Sequence, residues 1–400
     1  MPAQPAQGGA VGQLSPVACQ APSNLYLHIP FCLAKCSYCD FASYPLPAEW
    51  YSPYVEALAG EIQVVGAEWK RPSLDTLYIG GGTPTVLPTA LLVRLLETVR
   101  RAFRCPSTAE ITLEANPGTI TQEALIALRQ AGVNRLSLGV QSFQPPFLRL
   151  LGRIHSAEQA TEAIEMARQA GFTNLNLDLI YGLPGQTLPQ WQADVETALA
   201  LQPEHLSLYA LTLEPNTPLT DRVSCGELPP PEAELAADMY DWARRRLRQA
   251  GYIHYEISNW AHRPDLRSRH NLACWLNRPY AGCGAAAHSW LAGRRRANVQ
   301  SVRQYIERLH KGESPVAEEE CISPELERAE TMILGLRLVE GVSRADFRTR
   351  FGSDPAELYA SIIAESRSLG LLEVTQTLIR LTDRGLLLGN QVFRRFLPED

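Results

Sequence analysis

The sequence lacks the long apolar runs of a membrane protein and any large excess of basic charge. No stretch approaches the roughly 18 consecutive apolar residues of a transmembrane helix, and residues 1–23 have neither the basic start nor the apolar core of a secretory signal. Its 43 acidic and 37 basic residues leave a net charge of −6, which is unfavourable for general nucleic-acid binding. We therefore expect a cytoplasmic protein with no membrane span and no nucleic-acid partner.

The sequence also lacks the paired cysteines of a disulfide framework. Nine cysteines are an odd number, and a chain without an export signal keeps its thiols reduced in a cytosol. Three of them form the pattern C-x3-C-x2-C, at Cys32, Cys36 and Cys39. A structural zinc site usually closes with a second cysteine pair, and no second C-x2-C is present.

Residues 24–250 alternate short β-rich runs with helical stretches. The runs cover 25–29, 74–79, 110–113, 135–140, 173–180 and 205–211, and the helical stretches lie near 50–69, 88–103, 121–131, 156–170, 188–201 and 232–250. This rhythm predicts an α/β fold with six parallel strands. Either a barrel or an open sheet fits the periodicity. Glycine or polar clusters after nearly every strand favour a partial (β/α)6 barrel with its site at the strands' carboxyl ends.

The flanking segments differ from this repeat. Residues 1–23 have the composition of a disordered tail, and residues 251–322 are predicted to be an irregular extension rich in arginine and aromatic residues. Residues 323–400 read as a small domain of short helices, expected at 325–338, 344–351 and 355–369, followed by a hairpin of two strands at 371–374 and 378–381, which resembles a winged helix.

The cysteine cluster follows the first predicted strand directly. Three thiolates leave a fourth metal position open, and a [4Fe–4S] cluster held in this way keeps one iron free for a ligand. A zinc site or a group of thiols without metal are the alternatives. The neighbouring sequences YLHIPFC (residues 26–32) and YCDF (residues 38–41) resemble those of radical S-adenosylmethionine (SAM) proteins, specifically oxygen-independent coproporphyrinogen III oxidases and their HemW-like relatives.

This resemblance covers residues 24–395 and implies a radical SAM barrel in which Cys32, Cys36 and Cys39 hold a [4Fe–4S] cluster that binds SAM. The loop GGTP (residues 81–84) is similar to the family loop that contacts the SAM amino group, and Glu114 matches a SAM ligand. The cofactor contacts that the resemblance implies are Tyr26, Tyr38, Gly81, Gly82, Thr83, Glu114, Gln141, Arg153, Asp178 and Ala210. Of these, Gln141, Arg153 and Asp178 would border a nucleoside. Asp178 stands in an apolar run, where a carboxylate needs a partner.

Two features of the sequence bear on which branch of the family the chain resembles. The oxidases resemble C-x3-C-x2-C-x-C, but Phe41 stands at the position of the further cysteine. HemW-like proteins carry H-N-x-x-Y-W, and residues 270–275 read HNLACW, with Cys274 in place of tyrosine. By this resemblance His270 is the predicted axial heme ligand.

The extension adds a basic, aromatic character. Seven arginines and one acid between residues 261 and 296 make a local charge of +6, and Trp260, Trp275 and Trp290 lie in or beside this segment. Guanidinium groups suit the propionates of a porphyrin, and indole rings could stack on its plane. A solvated basic loop with aromatic packing is the alternative.

The resemblance implies a heme chaperone that binds heme and hands it to an unidentified acceptor protein, together with an electron donor for the cluster. The alternative is an oxygen-independent coproporphyrinogen III oxidase that forms protoporphyrinogen IX in porphyrin biosynthesis, and a radical SAM reaction on another substrate is a third. Phe41 is the residue that speaks against oxidase activity.

Overall fold

The computed structural model describes residues 15, 17 and 20–398. The tail predicted over residues 1–23 therefore lies largely outside the described residues. Of the helices in the described part, none is both long and apolar enough to cross a membrane.

The described chain contains fifteen strands and sixteen α-helices. The strands are β1 (Asn24–Ile29), β2 (Thr76–Gly81), β3 (Glu110–Ala115), β4 (Arg135–Gln141), β5 (Leu175–Tyr181), β6 (His205–Ala210), β7 (Ile253–Glu256), β8 (Asn259–Ala261), β9 (Tyr280–Cys283), β10 (His288–Leu291), β11 (Arg294–Asn298), β12 (Val316–Cys321), β13 (Val342–Ser343), β14 (Leu372–Val374) and β15 (Leu378–Leu381). The helices are α1 (Tyr51–Glu68), α2 (Thr89–Ala102), α3 (Gln122–Gln130), α4 (Pro145–Leu150), α5 (Ala157–Gln169), α6 (Leu188–Ala200), α7 (Pro218–Ser224), α8 (Ala233–Gln249), α9 (Arg269–Trp275), α10 (Val302–His310), α11 (Pro324–Gly335), α12 (Arg344–Phe351), α13 (Pro355–Leu358), α14 (Ala360–Ser368), α15 (Asp383–Leu387) and α16 (Gly389–Phe393).

Strands β1 to β6 lie side by side, in sequence order and parallel, as the repeat predicts. Strand β9 adds to the free side of β1 in parallel, and β10, β11 and β12 follow antiparallel; β8 and β7 extend the other side beyond β6. The predicted α/β class is confirmed as a large mixed sheet. Its description as a partial barrel stays a prediction.

Helix boundaries follow from capping residues in the sequence. Ser156 and Gln159 form a reciprocal capping box at the start of α5, which satisfies backbone N–H groups that the helix leaves unpaired. Gly171 (φ 86°) after α5 and Gly251 (φ 84°) after α8 end their helices in the left-handed region, which glycine adopts without strain.

The six parallel strands separate apolar and polar side chains between the two sheet faces. In β4 (RLSLGVQ), Leu136, Leu138 and Val140 are fully buried in the main hydrophobic core, whereas Arg135, Ser137 and Gln141 line a cavity. Because successive side chains of a strand point to opposite faces, one face packs against helices and the other is polar. The same alternation occurs in β5 (LNLDLIY) and β6 (HLSLYA).

The segment 251–322 is not irregular, which corrects the sequence-based expectation. It supplies β7 to β12, and these six strands complete both sides of the main sheet. Glu61 of α1 accepts hydrogen bonds from Gly284 N (2.7 Å), Asn298 Nδ2 (2.7 Å) and the Tyr305 hydroxyl, so one buried carboxyl group joins three parts of this segment. The strands here are short and charged, which hid their pattern.

The C-terminal part contains the predicted helices and hairpin. Strands β13, β15 and β14 form a separate antiparallel sheet, and α11, α12 and α14 fall within or close to the predicted helical stretches. Its backbone joins the main sheet through Ile257 N to Arg337 O (3.1 Å) and Val339 N to Tyr255 O (3.0 Å). The likeness to a winged helix stays a prediction.

Candidate functional site

One cavity of about 360 Å³ opens among the carboxyl ends of the parallel strands and extends along their polar face. Its size is in the range of small-molecule sites, roughly 300–1,000 Å³. Most of the predicted cluster and cofactor residues line it, namely Cys32, Cys36, Cys39, Tyr38, Gly81, Gly82, Thr83, Glu114, Gln141, Arg153, Asp178 and Ala210. The structure therefore brings together residues that are up to about 180 positions apart.

The cysteine loop is held at the rim of the cavity by its backbone. Cys32 N donates to Tyr44 O (3.1 Å), and Ser37 N donates to Leu151 O (3.0 Å). Burial raises the pKa of the Cys32 and Cys39 thiols. Within the described residues, no three His, Cys, Asp or Glu side chains stand close enough to hold a single ion.

The glycine loop fits tightly against the cysteine loop. A Cβ at Gly82 would lie 2.6 Å from the carbonyl oxygen of Phe31 and 2.9 Å from Cys32 Sγ. Gly81 has a φ of 116°, and a Cβ there would meet the ring of His28 at 2.7 Å. Only glycine allows this backbone to approach both the loop and a ligand.

Arg153 links the cluster loop to the strands. Its Nη1 donates to Cys36 Sγ (3.4 Å), and its Nη2 donates to Asn116 Oδ1 (2.6 Å) and Gly139 O (2.5 Å). Asn116 Nδ2 in turn donates to Thr83 Oγ1 (2.7 Å). This chain of hydrogen bonds connects the cysteine loop, the glycine loop and the ends of β3 and β4.

Two carboxyl groups face the cavity from strands β3 and β5. Glu114 accepts from the Tyr78 hydroxyl (2.6 Å) and from Gly81 N (3.1 Å), and burial raises its pKa to about 7. Asp178 accepts from Asn176 Nδ2 (2.7 Å) and the Ser137 hydroxyl (3.3 Å), and burial raises its pKa also. Both carboxyl groups line the cavity, where they can form hydrogen bonds with a polar ligand.

Gln141 stands where β4 is irregular. Its φ is 69°, and the pairing of β4 with β5 shifts register between Gly139 and Gln141. A bulge of this kind re-aims a side chain at the end of a strand, and it places Gln141 in the cavity wall together with Ala210.

Tyr26 and His270 do not line the cavity. The Tyr26 hydroxyl is hydrogen-bonded to His28 Nδ1 (2.9 Å). His270 lies at the opposite end of the strands from the cysteines, because its Nδ1 contacts the hydroxyl of Thr76 (2.8 Å) and its backbone N–H donates to Glu110 (3.0 Å), the first residues of β2 and β3. Burial lowers the pKa of His270 to about 4, so its imidazole is neutral.

The arginines and tryptophans of the extension are engaged in packing, which corrects their predicted availability to a porphyrin. Arg294 and Arg296 pair with Glu319, and Arg295 pairs with Glu320 and Glu330. Arg267 pairs with Glu340, and Arg269 pairs with Asp75. These five acidic residues lie outside residues 261–296, so the local charge of +6 is largely compensated. The indole rings are covered as well: Trp260 stacks on His254 (4.4 Å), Trp275 lies under Arg337 (4.5 Å) and Trp290 lies under Arg350 (5.6 Å).

Several cavity residues were not singled out from the sequence. They include Tyr78, Asn116, Arg135, Asn176, Ser207, Tyr209 and Asn271. The available signal was the strict alternation of polar and apolar residues in the strands, which marks a polar inner face. Asn116 also stands two residues after Glu114, in the segment LEANP (residues 113–117).

The cavity fits the groups that the family implies. Three thiols at its rim suit an iron–sulfur cluster, and the glycine loop has no space for side chains where a ligand would approach. Two buried carboxyl groups and the Gln141 amide lie deeper and can accept or donate hydrogen bonds to a polar nucleoside. Cys32, Cys36 and Cys39 would hold the cluster, and when bound it would supply an electron and an open iron position for SAM.

Comparisons with known proteins agree with this geometry. The family model described as "Radical SAM superfamily" matches residues 26–198, and the model described as "HemN C-terminal domain" matches residues 322–388. A protein named "Heme chaperone HemW" from Bacillus subtilis is 39% identical over 377 residues, which are 94% of this chain and 99% of that protein. The Mycobacterium tuberculosis H37Rv protein of the same name is 38% identical and covers 94% of this chain and 95% of its own.

A solved structure is similar over nearly the whole length. Coproporphyrinogen III oxidase (HemN) from Escherichia coli, described as a radical SAM enzyme, superposes with a TM-score of 0.82 at 26% identity, covering 94% of this chain and 90% of that one. The family predicted from the cysteine pattern and its neighbouring residues is confirmed. The chain belongs to the HemW family of radical SAM proteins, and membership of this family implies a [4Fe–4S] cluster and SAM.

Proposed function

We propose that this protein is a heme chaperone, which binds heme and transfers it to an acceptor protein. The observation that carries the proposal is Phe41 at the cavity mouth. Its side chain is 64% exposed and lines the cavity two positions after Cys39, where the oxidases have a further cysteine. The relatives named "Heme chaperone HemW" match over almost the full chain and support the same function.

The mouth of the cavity has an apolar rim that suits the face of a porphyrin. Besides Phe41, Tyr209 is an exposed large side chain that lines the cavity (41%), and two more exposed apolar residues, Leu33 (56%) and Ile154 (57%), are sequence neighbours of cavity residues. Leu33 follows Cys32, Ile154 follows Arg153, and Tyr209 lines the cavity itself. A cavity of about 360 Å³ has the size of one nucleoside cofactor, so we place the macrocycle on the rim and SAM inside.

Cys32, Cys36 and Cys39 would hold the [4Fe–4S] cluster, and Glu114, Gln141 and Asp178 would contact SAM within the cavity. When bound, these groups would supply a redox-sensitive element that controls heme loading. A protein electron donor would set the redox state of the cluster. Since Phe41 and the cluster loop share one short segment, a change at the cluster is transmitted directly to the rim.

His270 stays the sequence-based prediction for the axial heme ligand. Its burial and its hydrogen bond to Thr76 mean that ligation would require α9 to move away from the sheet. We therefore expect rim contacts, rather than His270, to dominate heme affinity.

A Soret titration of anaerobically reconstituted protein tests this function. Phe41→Asp should weaken heme binding by at least tenfold, because it places a charge in the apolar rim. Val64→Asp is the matched control, since Val64 is 66% exposed on α1 and does not line the cavity. His270→Ala should bind heme nearly as the wild type does. Absence of saturable heme binding in the wild type would refute the proposal, and loss only in His270→Ala would move the heme to α9.

The oxidase is the second candidate, because the HemN structure is similar over nearly the whole chain and the cavity keeps the predicted SAM contacts. The same reconstituted sample, incubated anaerobically with coproporphyrinogen III, SAM and dithionite, distinguishes the two. Formation of protoporphyrinogen would establish oxidase activity despite Phe41. Heme binding without porphyrin turnover would support the chaperone.

A further inference from the structure

Arg135 is a buried cation without a partner at the inner end of the cavity. It is the first residue of β4, its side chain is 2% exposed, and it lines the cavity. Across residues 20–398, no hydrogen bond or ion pair engages its guanidinium, and its Nε is buried without an acceptor. Arg153, the other arginine of the cavity, is by contrast fixed by three hydrogen bonds.

An unpaired buried charge costs several kcal/mol unless the surroundings compensate it. The strands on both sides of β4 supply that compensation. Glu114 on β3 and Asp178 on β5 lie on the same polar face as Arg135, paired with Ser137 and Gly139 of β4. Neither carboxylate is within ion-pair distance, so the attraction acts across the cavity rather than through a contact.

We propose that Arg135 is a positioning residue for SAM, the buried counter-charge that favours the ionised forms of Glu114 and Asp178 and leaves their oxygens free to face the cofactor. This inference rests on the proposed radical SAM function. Because the guanidinium makes no ion pair with either carboxylate, their oxygens stay available to the SAM ammonium and ribose hydroxyls. A direct salt bridge would occupy the same oxygens.

Arg153 is the other cation of the cavity, but its guanidinium is held by Cys36, Asn116 and Gly139 and makes no ion pair with either carboxylate. Tyr26 of β1 and Tyr78 of β2 are neutral phenols, since burial raises their pKa, and Tyr209 of β6 is an uncharged phenol at neutral pH. Burial raises the pKa of both carboxyl groups and Asp178 raises that of Glu114 further, whereas Arg135 lowers the pKa of both. Without Arg135 the pKa of both carboxyl groups would rise further, so both would stay protonated to a higher pH.

SAM affinity measured against pH tests the proposal, by equilibrium dialysis of anaerobically reconstituted protein. Arg135→Met should bind SAM about tenfold more weakly at pH 6, which is one unit of pKa shift. Because the pKa of Glu114 is about 7 with Arg135 in place, the loss should vanish only above about pH 9. Arg135→Lys should restore most of the affinity. The matched control Arg245→Met removes an exposed arginine of α8 and should leave the profile unchanged. Equal affinity in Arg135→Met, or a loss that is the same at every pH and not rescued by lysine, would overturn the proposal.

A second measurement covers the case in which Arg135→Met folds poorly. In cluster-free protein, Arg135→Met should lower the urea midpoint in the wild-type background. It should raise the midpoint in the Glu114→Gln, Asp178→Asn background, where Arg135 has lost its compensating charges. The same sign in both backgrounds would refute the counter-charge. Neither readout involves heme, so a failed heme titration would leave this inference standing.

Discussion

Replacing Gly82 with alanine adds one methyl group where the glycine loop touches the cysteine loop. The new Cβ would lie 2.6 Å from the carbonyl oxygen of Phe31 and 2.9 Å from Cys32 Sγ, well inside the roughly 3.5–4.0 Å of a normal contact. The Phe31 carbonyl accepts the hydrogen bond of Thr83 N (2.8 Å) and is therefore fixed. Relief requires the cysteine loop to move outward by about 1 Å.

Overpacking of this kind costs about 1–3 kcal/mol, and here the strain falls on the first cluster ligand. We expect Gly82→Ala to retain less than half of the wild-type iron and sulfide after identical anaerobic reconstitution. The free energy of unfolding of the cluster-free protein, from urea denaturation, should fall by about 1–3 kcal/mol. The two measurements separate a loss of cluster from a loss of fold.

Gly60→Ala is the matched control. Gly60 lies in α1, a Cβ there would meet nothing within 4 Å, and alanine favours a helix over glycine by about 1 kcal/mol. This variant should keep its iron and become slightly more stable. Full iron and sulfide content in Gly82→Ala would refute the reasoning, because the glycine would then not be needed for the approach of the two loops.

Three further predictions concern the cluster, the pH dependence of stability and the C-terminal domain. Cys36→Ala removes a thiol and the acceptor of Arg153 Nη1, so the protein should lose most of its iron. Cys225 is exposed, and Cys225→Ala should keep the iron. Equal iron content in both variants would exclude Cys36 as a ligand. Burial raises the pKa of Glu256 to about 7, above its unfolded value, so the free energy of unfolding should fall as the pH rises from about 5 to 7. In urea denaturation, Glu256→Gln should reduce this fall by on the order of 3 kcal/mol. An unchanged dependence on pH would contradict the assignment. Arg337→Met removes the cation over Trp275 and should lower the free energy of unfolding by about 1–2 kcal/mol. Arg245→Met is the surface control and should leave it unchanged. Equal stability of the two variants would show that the contact of Arg337 with Trp275 does not stabilise the docked domain.

The strands and the cluster loop could be predicted because their signals are local. Strand β4 was expected at 135–140 and is Arg135–Gln141, since alternation within seven residues already separates its two faces. Helix α12 was expected at 344–351 and forms Arg344–Phe351. The cysteine loop needs only eight consecutive residues to bring its three thiols to one rim.

The extension could not be predicted in the same way. Arg294 to Arg296 appeared as unpaired basic charge because Glu319 and Glu320 follow more than twenty residues later and meet them only through the antiparallel pairing of β11 with β12. The motif around His270 suggested a heme ligand, but in the fold His270 is hydrogen-bonded to Thr76 and Glu110. These residues precede it by 194 and 160 positions, so the motif itself does not indicate them.

The sequence by itself determined the α/β repeat and the family, because periodicity, capping and the C-x3-C-x2-C spacing are short-range properties. Only the tertiary structure decided which polar side chains share one cavity and which basic ones are compensated. Strand order and register place Glu114, Arg135 and Asp178 on one face, and no local pattern contains that information. Electrostatic energy depends on distance in space and on burial, so the same arginine is a solvated charge, a salt bridge or a buried counter-charge according to what the fold places around it.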